Sequence, residues 1–265
     1  SASATGSASA TGSAFATGAP AAAPVAGAPA PGAPPAPAAQ GASYERMRQG
    51  VIETVTRSHR EIPAFWVERW VDLERAYAFK AGLDEGRLGT KITLTDFFIQ
   101  AIADTLPFHP RLLTRLGSAG PLQEIVESDP AVGLVVRVPG GVVVPTLAGL
   151  RGLGLVPLSR LRARAVEAAR SGRLSGAMLA PATISLSNVG NAGADVLRPM
   201  ILPGQTAILG VGRAHERVVP RERAIAIRTG CFMVLAADHR VVDGVEAAEF
   251  LGALAERIEK GEWRA

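Results

Sequence analysis

One short string near the end of the chain carries the residues best suited to chemistry. Residues 237–244 are Ala-Asp-His-Arg-Val-Val-Asp-Gly, and they follow an apolar run that predicts a strand. The pattern places His239 on a turn at the end of a rigid element, where functional side chains are commonly presented. Imidazole ordinarily accepts a proton near neutrality, so His239 is the candidate general base. A lone loop histidine is more often structural, and that is the default for His59, His109 and His215, which lie near no comparable constellation.

Three neighbours of this histidine bear on the chemistry of the turn. Asp243 follows it by four positions, a separation that invites the idea of a catalytic relay. Gly244 comes directly before a predicted helix, and glycine allows a sharp turn at such a junction. Cys231 lies in the apolar run before the turn, where a buried structural thiol is more common than a nucleophile. The sequence therefore nominates one base and no cysteine nucleophile.

The elements that must position this turn form a mixed pattern of helices and strands. Residues 93–106 predict a strong helix, because apolar side chains recur at helical spacing and Thr93 or Thr95 can cap its start. A Pro-Gly-Gly step at 139–141 predicts a hairpin. Strands are predicted at 62–71, 132–138, 142–147, 183–187, 206–211, 224–228 and 231–237, and further helices at 47–60, 72–80, 158–170 and 245–260. The absence of a regular strand-helix alternation argues against a doubly wound parallel sheet.

The composition divides the chain into two parts. Residues 1–43 contain no Asp, Glu, Lys or Arg, and consist of a threefold hexad repeat followed by an Ala/Pro tract. Such a segment has almost nothing to bury, so we predict a disordered linker over 1–43 and a folded catalytic domain over 44–265. Taken alone, the linker is equally compatible with a swinging arm and with an inert tail.

Charge and hydropathy exclude several classes of partner. The net charge of +4 comes from arginines spread along the chain, so we expect a solvated arginine-rich surface and no nucleic-acid binding. No apolar run reaches the roughly 18 residues of a spanning helix and no signal peptide is visible, so we expect a soluble protein without a membrane partner. A single cysteine fits a reducing compartment.

The string around His239 resembles the active-site signature of the acyltransferase cores of 2-oxo-acid dehydrogenase complexes. The resemblance does not depend on that string alone, because seven further segments match the family in the same order. They lie at 47–63, 91–97, 108–110, 132–136, 141–145, 185–190 and 205–212. The matches run from about residue 44 to the end of the chain, which makes the resemblance highly specific.

This resemblance implies a fold, an activity and two central residues. The fold is α/β, an α+β two-layer sandwich like that of chloramphenicol acetyltransferase, with a mixed sheet and flanking helices. The activity is transfer of an acyl group from acyl-dihydrolipoamide to coenzyme A. His239, at a subunit interface and oriented by its own backbone carbonyl, takes the thiol proton as the base. Ser187 stabilises the oxyanion through its hydroxyl, whereas outside the family it would pass for an ordinary hydroxyl at a strand end.

The resemblance also implies supporting residues, cofactors and partners. Asp243 holds the active-site loop through an arginine, for which Arg48 and Arg240 are both candidates, and Asn188 and Gly190 shape the loop beside the serine. The cofactor is a lipoyl group on a separate or upstream domain, coenzyme A is a substrate, and no metal is expected. The implied partners are two further copies in a homotrimer, extended in some members to a cage, a lipoyl domain, and decarboxylase and dihydrolipoyl dehydrogenase components. The implied location is a bacterial cytoplasm, with the mitochondrial matrix as the alternative.

Three departures from the family keep other functions open. Ala148 and Gly149 stand where the family usually has an Arg-Asp pair, Ala64 replaces a frequent histidine, and Glu53-Thr54 replaces a basic pair. These changes concern the acyl pocket and the subunit contacts, while the base and the oxyanion donor are intact. Two alternatives therefore remain: a catalytically silent trimeric scaffold that recruits partner enzymes, and an antibiotic acetyltransferase on the same fold.

Overall fold

The computed structural model describes residues 41–116, 124–126, 128–221 and 223–265. Nearly all of the predicted linker lies outside these residues, and its last three positions open the first helix. Six α-helices occur within the described part of the chain. They are α1 (Gly41–Glu61), α2 (Glu74–Ala81), α3 (Glu85–Leu88), α4 (Leu94–Thr105), α5 (Leu155–Arg170) and α6 (Gly244–Lys260). Thr93 is the N-cap of α4 and forms a capping box with Asp96, which explains where that helix begins.

Eleven strands accompany these helices in the same residues. They are β1 (Ala64–Asp72), β2 (Thr114–Leu116), β3 (Glu124–Val126), β4 (Val132–Leu134), β5 (Val136–Val138), β6 (Gly141–Val143), β7 (Thr146–Leu147), β8 (Ile184–Asn188), β9 (Ala207–Val211), β10 (His215–Arg221) and β11 (Ala224–Asp238). The main sheet has the order β1-β11-β9-β8-β4-β7, with β10 paired to the first half of β11. Strands β4, β8 and β9 are parallel, while β1, β7, β10 and β11 run antiparallel to their neighbours. The predicted mixed sheet with flanking helices is confirmed.

The two faces of the sheet are covered differently. Alternate residues of β8, β9 and β11 point toward α4 and α6 and build the main aliphatic core, as strand geometry requires. The opposite face carries a smaller cluster of Ile62, Ile201, Ile208 and Ala236. Both faces of the sheet therefore carry buried apolar side chains, and the larger cluster lies on the helix side.

One strand prediction was wrong, and Gly230 gives the physical reason. The predicted strands at 224–228 and 231–237 are a single 15-residue strand, β11, and β10 beside it was not predicted. Glycine at 230 resembles a turn signal, but here it lies within the strand opposite Asp72. A Cβ at this position would lie 2.3 Å from the carbonyl oxygen of Val71 and 2.3 Å from the Trp70 ring. Close packing against β1, not a turn, requires the glycine.

The predicted strand at 132–138 is interrupted, which is a second correction. Val135 separates β4 from β5, and its N–H donates to the carbonyl of Leu186 at 3.0 Å. As a result β4 joins the main sheet beside β8, and only β5 and β6 form the hairpin that the Pro-Gly-Gly step predicts.

The fit of Gly230 against β1 yields a stability prediction. We expect Gly230→Ala to lower the free energy of unfolding by about 1 to 3 kcal/mol, because the backbone of Val71 cannot move away at low cost. Gly50→Ala, in α1, is the matched control: a Cβ there meets nothing within 4 Å, and alanine favours a helix. Urea denaturation at one fixed protein concentration measures both variants. Equal stability of Gly230→Ala and the wild-type protein would contradict the conclusion that close packing against β1 requires glycine at this position.

Candidate active site

His239 lies on the turn that follows β11 and is exposed to solvent. Its ring centroid is 4.5 Å from that of Phe65, with the two rings tilted by 44°. Its backbone N–H donates to the carbonyl of Pro63 at 3.1 Å. Within the described residues the imidazole has no hydrogen-bond partner, so the contact to its own carbonyl that the family resemblance implies is not formed in this chain. The ring is accessible, and both of its nitrogens are available to a substrate or to a second chain.

The loop after His239 is not held as the resemblance implies. The Asp243 carboxylate accepts hydrogen bonds from the N–H groups of Val245 and Glu246, at 2.8 Å and 2.9 Å, and so caps α6. Arg240 instead binds Asp238, the residue before the histidine. The predicted pair between Asp243 and an arginine is thus replaced, within the chain, by Asp238 with Arg240. Asp238 is the residue that the sequence argument missed, although it belongs to the same string.

Arg48 and Gly244, which were also proposed for this loop, stay predictions, because the described residues show no contact or backbone strain that requires them. Arg48 is exposed on α1, and in the described part of the chain it makes no ion pair with Asp243. Gly244 is the first residue of α6; its φ is not in the left-handed region, and a Cβ would meet nothing within 4 Å. Neither strain nor close packing therefore requires glycine at this junction.

Ser187 lies near the carboxyl end of β8 and is partly buried. The turn after it is fixed by Asn188, whose Oδ1 accepts the N–H of Gly190 at 2.9 Å and whose Nδ2 donates to Thr95 at 3.2 Å. A Cβ on Gly190 would lie 2.9 Å from the carbonyl oxygen of Gly212, so this glycine permits a close backbone approach. Asn188 and Gly190 thus define the shape of the turn beside the serine hydroxyl.

Within one chain the sheet separates His239 from Ser187. Ser187 is level with Gly210 of β9, and Gly210 is level with Val234 of β11. Val234 precedes the histidine by five residues, so at roughly 3.3 Å per strand residue the two side chains are about 17 Å apart along the strands. They also lie on strands that are two positions apart in the sheet. The structure therefore does not bring the candidate base and the candidate oxyanion donor together inside one protomer.

A cleft of about 450 Å³ opens beside the turn that follows the serine. It lies between the ends of β8 and β9 on one side and α2 and the start of α4 on the other. Lys80, Lys91 and Arg213 line its wall, and Asn188, Asn191 and Thr95 add hydrogen-bonding groups. Two of these cations are already paired, Lys80 with Glu85 at 3.0 Å and Arg213 with Asp195. Such a wall suits a ligand that carries phosphate groups. Lys80, Asn191 and Arg213 were not predicted as site residues, because they are far apart in the chain and no motif joins them.

Cys231 forms part of the inner wall of this cleft and is fully buried. Burial raises the pKa of its thiol to about 12. The prediction of a buried structural thiol is confirmed. A thiol is nucleophilic only as the thiolate, so Cys231 stays unreactive near neutral pH.

Two further findings concern the described residues as a whole. No helix among them is both long and apolar enough to cross a membrane. No group of three or more His, Cys, Asp and Glu side chains among them is arranged to hold a metal ion.

Relatives and solved structures agree with this architecture. The chain is 30% identical over 217 residues to the dihydrolipoyllysine-residue acetyltransferase component of the pyruvate dehydrogenase complex of Mycoplasma pneumoniae, covering 81% of this chain and 54% of that protein. It is 32% identical over 213 residues to the lipoamide acyltransferase component of the branched-chain alpha-keto acid dehydrogenase complex of Pseudomonas aeruginosa, covering 78% and 49%. Both matches span about half of the relative.

A solved structure of the Azotobacter vinelandii dihydrolipoamide acetyltransferase superposes on the chain with a TM-score of 0.76. It is 26% identical and covers 81% of this chain and 88% of that one. The fold that the sequence resemblance implied is therefore confirmed.

The capping role of Asp243 can be tested separately from catalysis. We expect Asp243→Ala to lower the free energy of unfolding by about 1 kcal/mol, because two N–H groups at the start of α6 lose their acceptor. We expect Asp243→Asn to stay within about 0.5 kcal/mol of the wild type, because asparagine caps equally well. Urea denaturation compares the two variants. Equal losses in both would instead point to a charge partner for the carboxylate, such as an arginine.

The family assignment itself comes from the match to a family model. The model of the 2-oxoacid dehydrogenases acyltransferase catalytic domain matches residues 37–263, nearly the whole folded part. The motifs around His239 and Ser187, the mixed sheet and this match agree with one another. The chain belongs to the acyltransferase catalytic-domain family of the 2-oxo-acid dehydrogenases.

Proposed function

We propose that this chain transfers an acyl group from a dihydrolipoyl thioester to coenzyme A, at a site that two copies of the chain build together. His239 of one copy is the general base, and Ser187 of the next copy stabilises the oxyanion. Asp243 and Arg240 are placed around the base, and Asn188 and Gly190 around the donor.

The separation of the two groups within one protomer carries this proposal. An exposed imidazole and a partly buried hydroxyl about 17 Å apart along the sheet cannot act on one carbonyl. A second copy whose β8 end faces the β11 end of the first would join them. Because such a contact uses two different surfaces, it is head-to-tail, and its repetition gives a ring when the rotation between copies closes. A homotrimer is the ring that the family resemblance implies.

The spacing of the candidate residues supports their roles. The study of the Azotobacter vinelandii relative addresses the roles of a serine, a histidine and an asparagine in its catalytic mechanism. There the histidine follows the serine by 52 positions and the asparagine follows the histidine by four. Ser187, His239 and Asp243 have the same two spacings in this chain. The change from asparagine to aspartate at the third position keeps a helix-capping side chain, in agreement with the structure.

The chemistry needs one base and one donor. His239 takes the proton from the coenzyme A thiol, since a thiol of ordinary pKa is only a few per cent ionised at neutral pH. The resulting thiolate attacks the carbonyl carbon of the acyl thioester. Ser187 donates its hydroxyl hydrogen bond to the oxyanion that forms, and one such donor is typically worth about 3 kcal/mol of barrier. When the intermediate collapses, His239 returns its proton to the departing dihydrolipoyl sulfur.

The basic cleft is our candidate for the phosphate-bearing end of coenzyme A. It adjoins Asn188 and Gly190, so a ligand seated there reaches the end of β8 where the serine stands. Lys91 supplies a cation that attracts phosphate groups, together with Lys80 and Arg213, which are paired with Glu85 and Asp195 in the described chain.

The remaining partners are proposed from the family. The chain spans about half the length of the curated relatives that it matches, so the lipoyl domain and the decarboxylase and dehydrogenase components belong to the proposed whole. Those relatives are named for different acyl groups, acetyl and branched-chain among them. Acetyl-, succinyl- and isobutyryl-dihydrolipoamide should therefore be compared as donors.

Mixing two inactive variants tests the shared site. We expect His239→Ala to lower kcat by at least 100-fold and Ser187→Ala by about 100- to 1000-fold. When the two are unfolded together in equal amounts and refolded, about a quarter of the interfaces pair an intact His239 with an intact Ser187, so about a quarter of the wild-type activity should return. Turnover is followed with dihydrolipoamide and acyl-coenzyme A, in the reverse direction.

Two controls make the outcome decisive. Each variant refolded alone should stay inactive, and sedimentation should give the same oligomer for all samples. A mixture no more active than the sum of its parts would contradict a site shared between copies. If the wild-type protein forms the oligomer but shows no turnover, and His239→Ala forms the same oligomer, the scaffold is favoured over the enzyme.

A further inference from the structure

The strand end before the candidate base is fixed by two backbone hydrogen bonds. The N–H of Asp238 donates to the carbonyl of Thr206 at 2.8 Å, and the N–H of His239 donates to the carbonyl of Pro63 at 3.1 Å. Thr206 leads into β9 and Pro63 leads into β1, the two strands on either side of β11. The backbone that enters the turn is therefore held by both neighbouring strands.

Asp238 supplies the acceptors for the three backbone N–H groups that follow that of His239. Its Oδ1 accepts the N–H of Arg240 at 3.0 Å. Its carbonyl accepts the N–H groups of Val241 and Val242, both at 3.0 Å. A side-chain oxygen that accepts the N–H two residues later closes an Asx turn. One residue thus determines the path of the backbone on both sides of His239.

The same carboxylate also binds the Arg240 guanidinium. Nε donates to Oδ1 at 2.9 Å and to Oδ2 at 3.1 Å, and Nη2 donates to Oδ2 at 2.5 Å. Asp238 has no exposed surface, whereas 30% of the Arg240 side chain is exposed. The hydrogen bonds to Asp238 raise the pKa of Arg240. Two-point binding of this kind fixes the orientation of both groups, and not only their distance.

The pair has little freedom to rearrange. A buried carboxylate is stable only while its charge and its lone pairs are matched, so loss of the arginine contact makes the buried position unfavourable. The residue between the two partners is His239. Its ring contacts Phe65 and makes no hydrogen bond within the described chain, so the backbone turn decides where the imidazole points.

We propose that Asp238 is a positioning residue for His239: its carboxylate, held by Arg240, fixes the turn that aims the imidazole toward the Ser187 of the neighbouring copy. The inference rests on the proposed function for its catalytic consequence, but not for its geometry. Asp238 itself is buried and does not touch the substrate.

Asp238→Asn is the central variant. The amide oxygen still accepts the Arg240 N–H, but the charge that holds the guanidinium is gone. We expect kcat to fall about 10- to 100-fold, because a displacement of about 1 Å at a reacting group has effects of that size. The KM values for coenzyme A and dihydrolipoamide should stay within about twofold, because substrate binding does not involve this pair. Arg240→Lys, which replaces a two-point contact by a single ammonium, should show the same split with a smaller loss.

Asp104→Asn is the matched control for a purely structural effect. Asp104 also binds an arginine at two points, Arg264, at 2.7 Å and 2.8 Å, with only 10% of its side chain exposed. It lies near the end of α4, away from both His239 and Ser187. We expect a loss of stability similar to that of Asp238→Asn, with kcat within about twofold of the wild type.

A spectroscopic readout tests the geometry without turnover. In protein labelled with ¹³C at histidine Cε1, the His239 signal, identified by its loss in His239→Ala, should carry a ring-current shift from Phe65. We expect Asp238→Asn to move this signal and Asp104→Asn to leave it in place.

The outcomes separate the two proposals. An unmoved His239 signal in Asp238→Asn would overturn the inference, whatever the activity. In an enzyme whose activity depends on His239, a kcat of Asp238→Asn within twofold of the wild type would also overturn the inference. A loss of kcat in Asp238→Asn no greater than that in Asp104→Asn would do the same. If the wild-type protein shows no transfer at all, the proposed function fails, and the signal alone decides whether Asp238 positions the ring.

Discussion

The antiparallel pairing of β9 with β11 is the constraint on which the candidate site depends. Strand β8 runs parallel to β9 and β11 runs antiparallel to it, so β8 and β11 run in opposite directions. Their carboxyl ends therefore lie at opposite ends of the strands in the sheet. Ser187 stands near one of these ends and His239 just beyond the other. A change in side chains cannot shorten this distance, because the register is set by backbone hydrogen bonds and by the apolar side chains that alternate along each strand. Any chemistry that uses both residues must therefore be a property of an assembly.

Much of this arrangement could be predicted from the sequence, and the reasons differ from element to element. Helix α4 was found because its apolar spacing and its Thr93 cap are local signals. The turn that carries His239 was found because an apolar run ends in a polar string. The continuity of β11 was missed because glycine is required at 230 by close packing against the backbone of Val71 and the ring of Trp70, which are distant in sequence. A glycine required by packing cannot be told from a glycine required by a turn without the partner strand.

The role of the arginines was also underestimated. The sequence suggested a solvated surface, but several arginines bind carboxylates that have little or no exposed surface. Arg162 binds Asp96 at the start of α4 at 2.6 Å, Arg264 binds Asp104 near its end, and Arg240 binds Asp238 at the end of β11. Each of these aspartates lies at or near the end of a helix or strand. Composition gives only the number of charged residues. The pairs of Arg162 with Asp96 and of Arg264 with Asp104 join residues that are distant in the sequence, so no local pattern predicts them.

The buried thiol of Cys231 has a consequence for the proposed thioester chemistry. In that chemistry, a thiolate in the wall of the cleft would compete with the incoming substrate sulfur, and the protein itself would become acylated. Burial holds this thiol protonated, with its pKa raised to about 12, so at physiological pH it is a poor acceptor. In the proposed transfer, the strand that presents His239 thus carries a sulfur that does not take up the acyl group, and coenzyme A supplies the acceptor thiol.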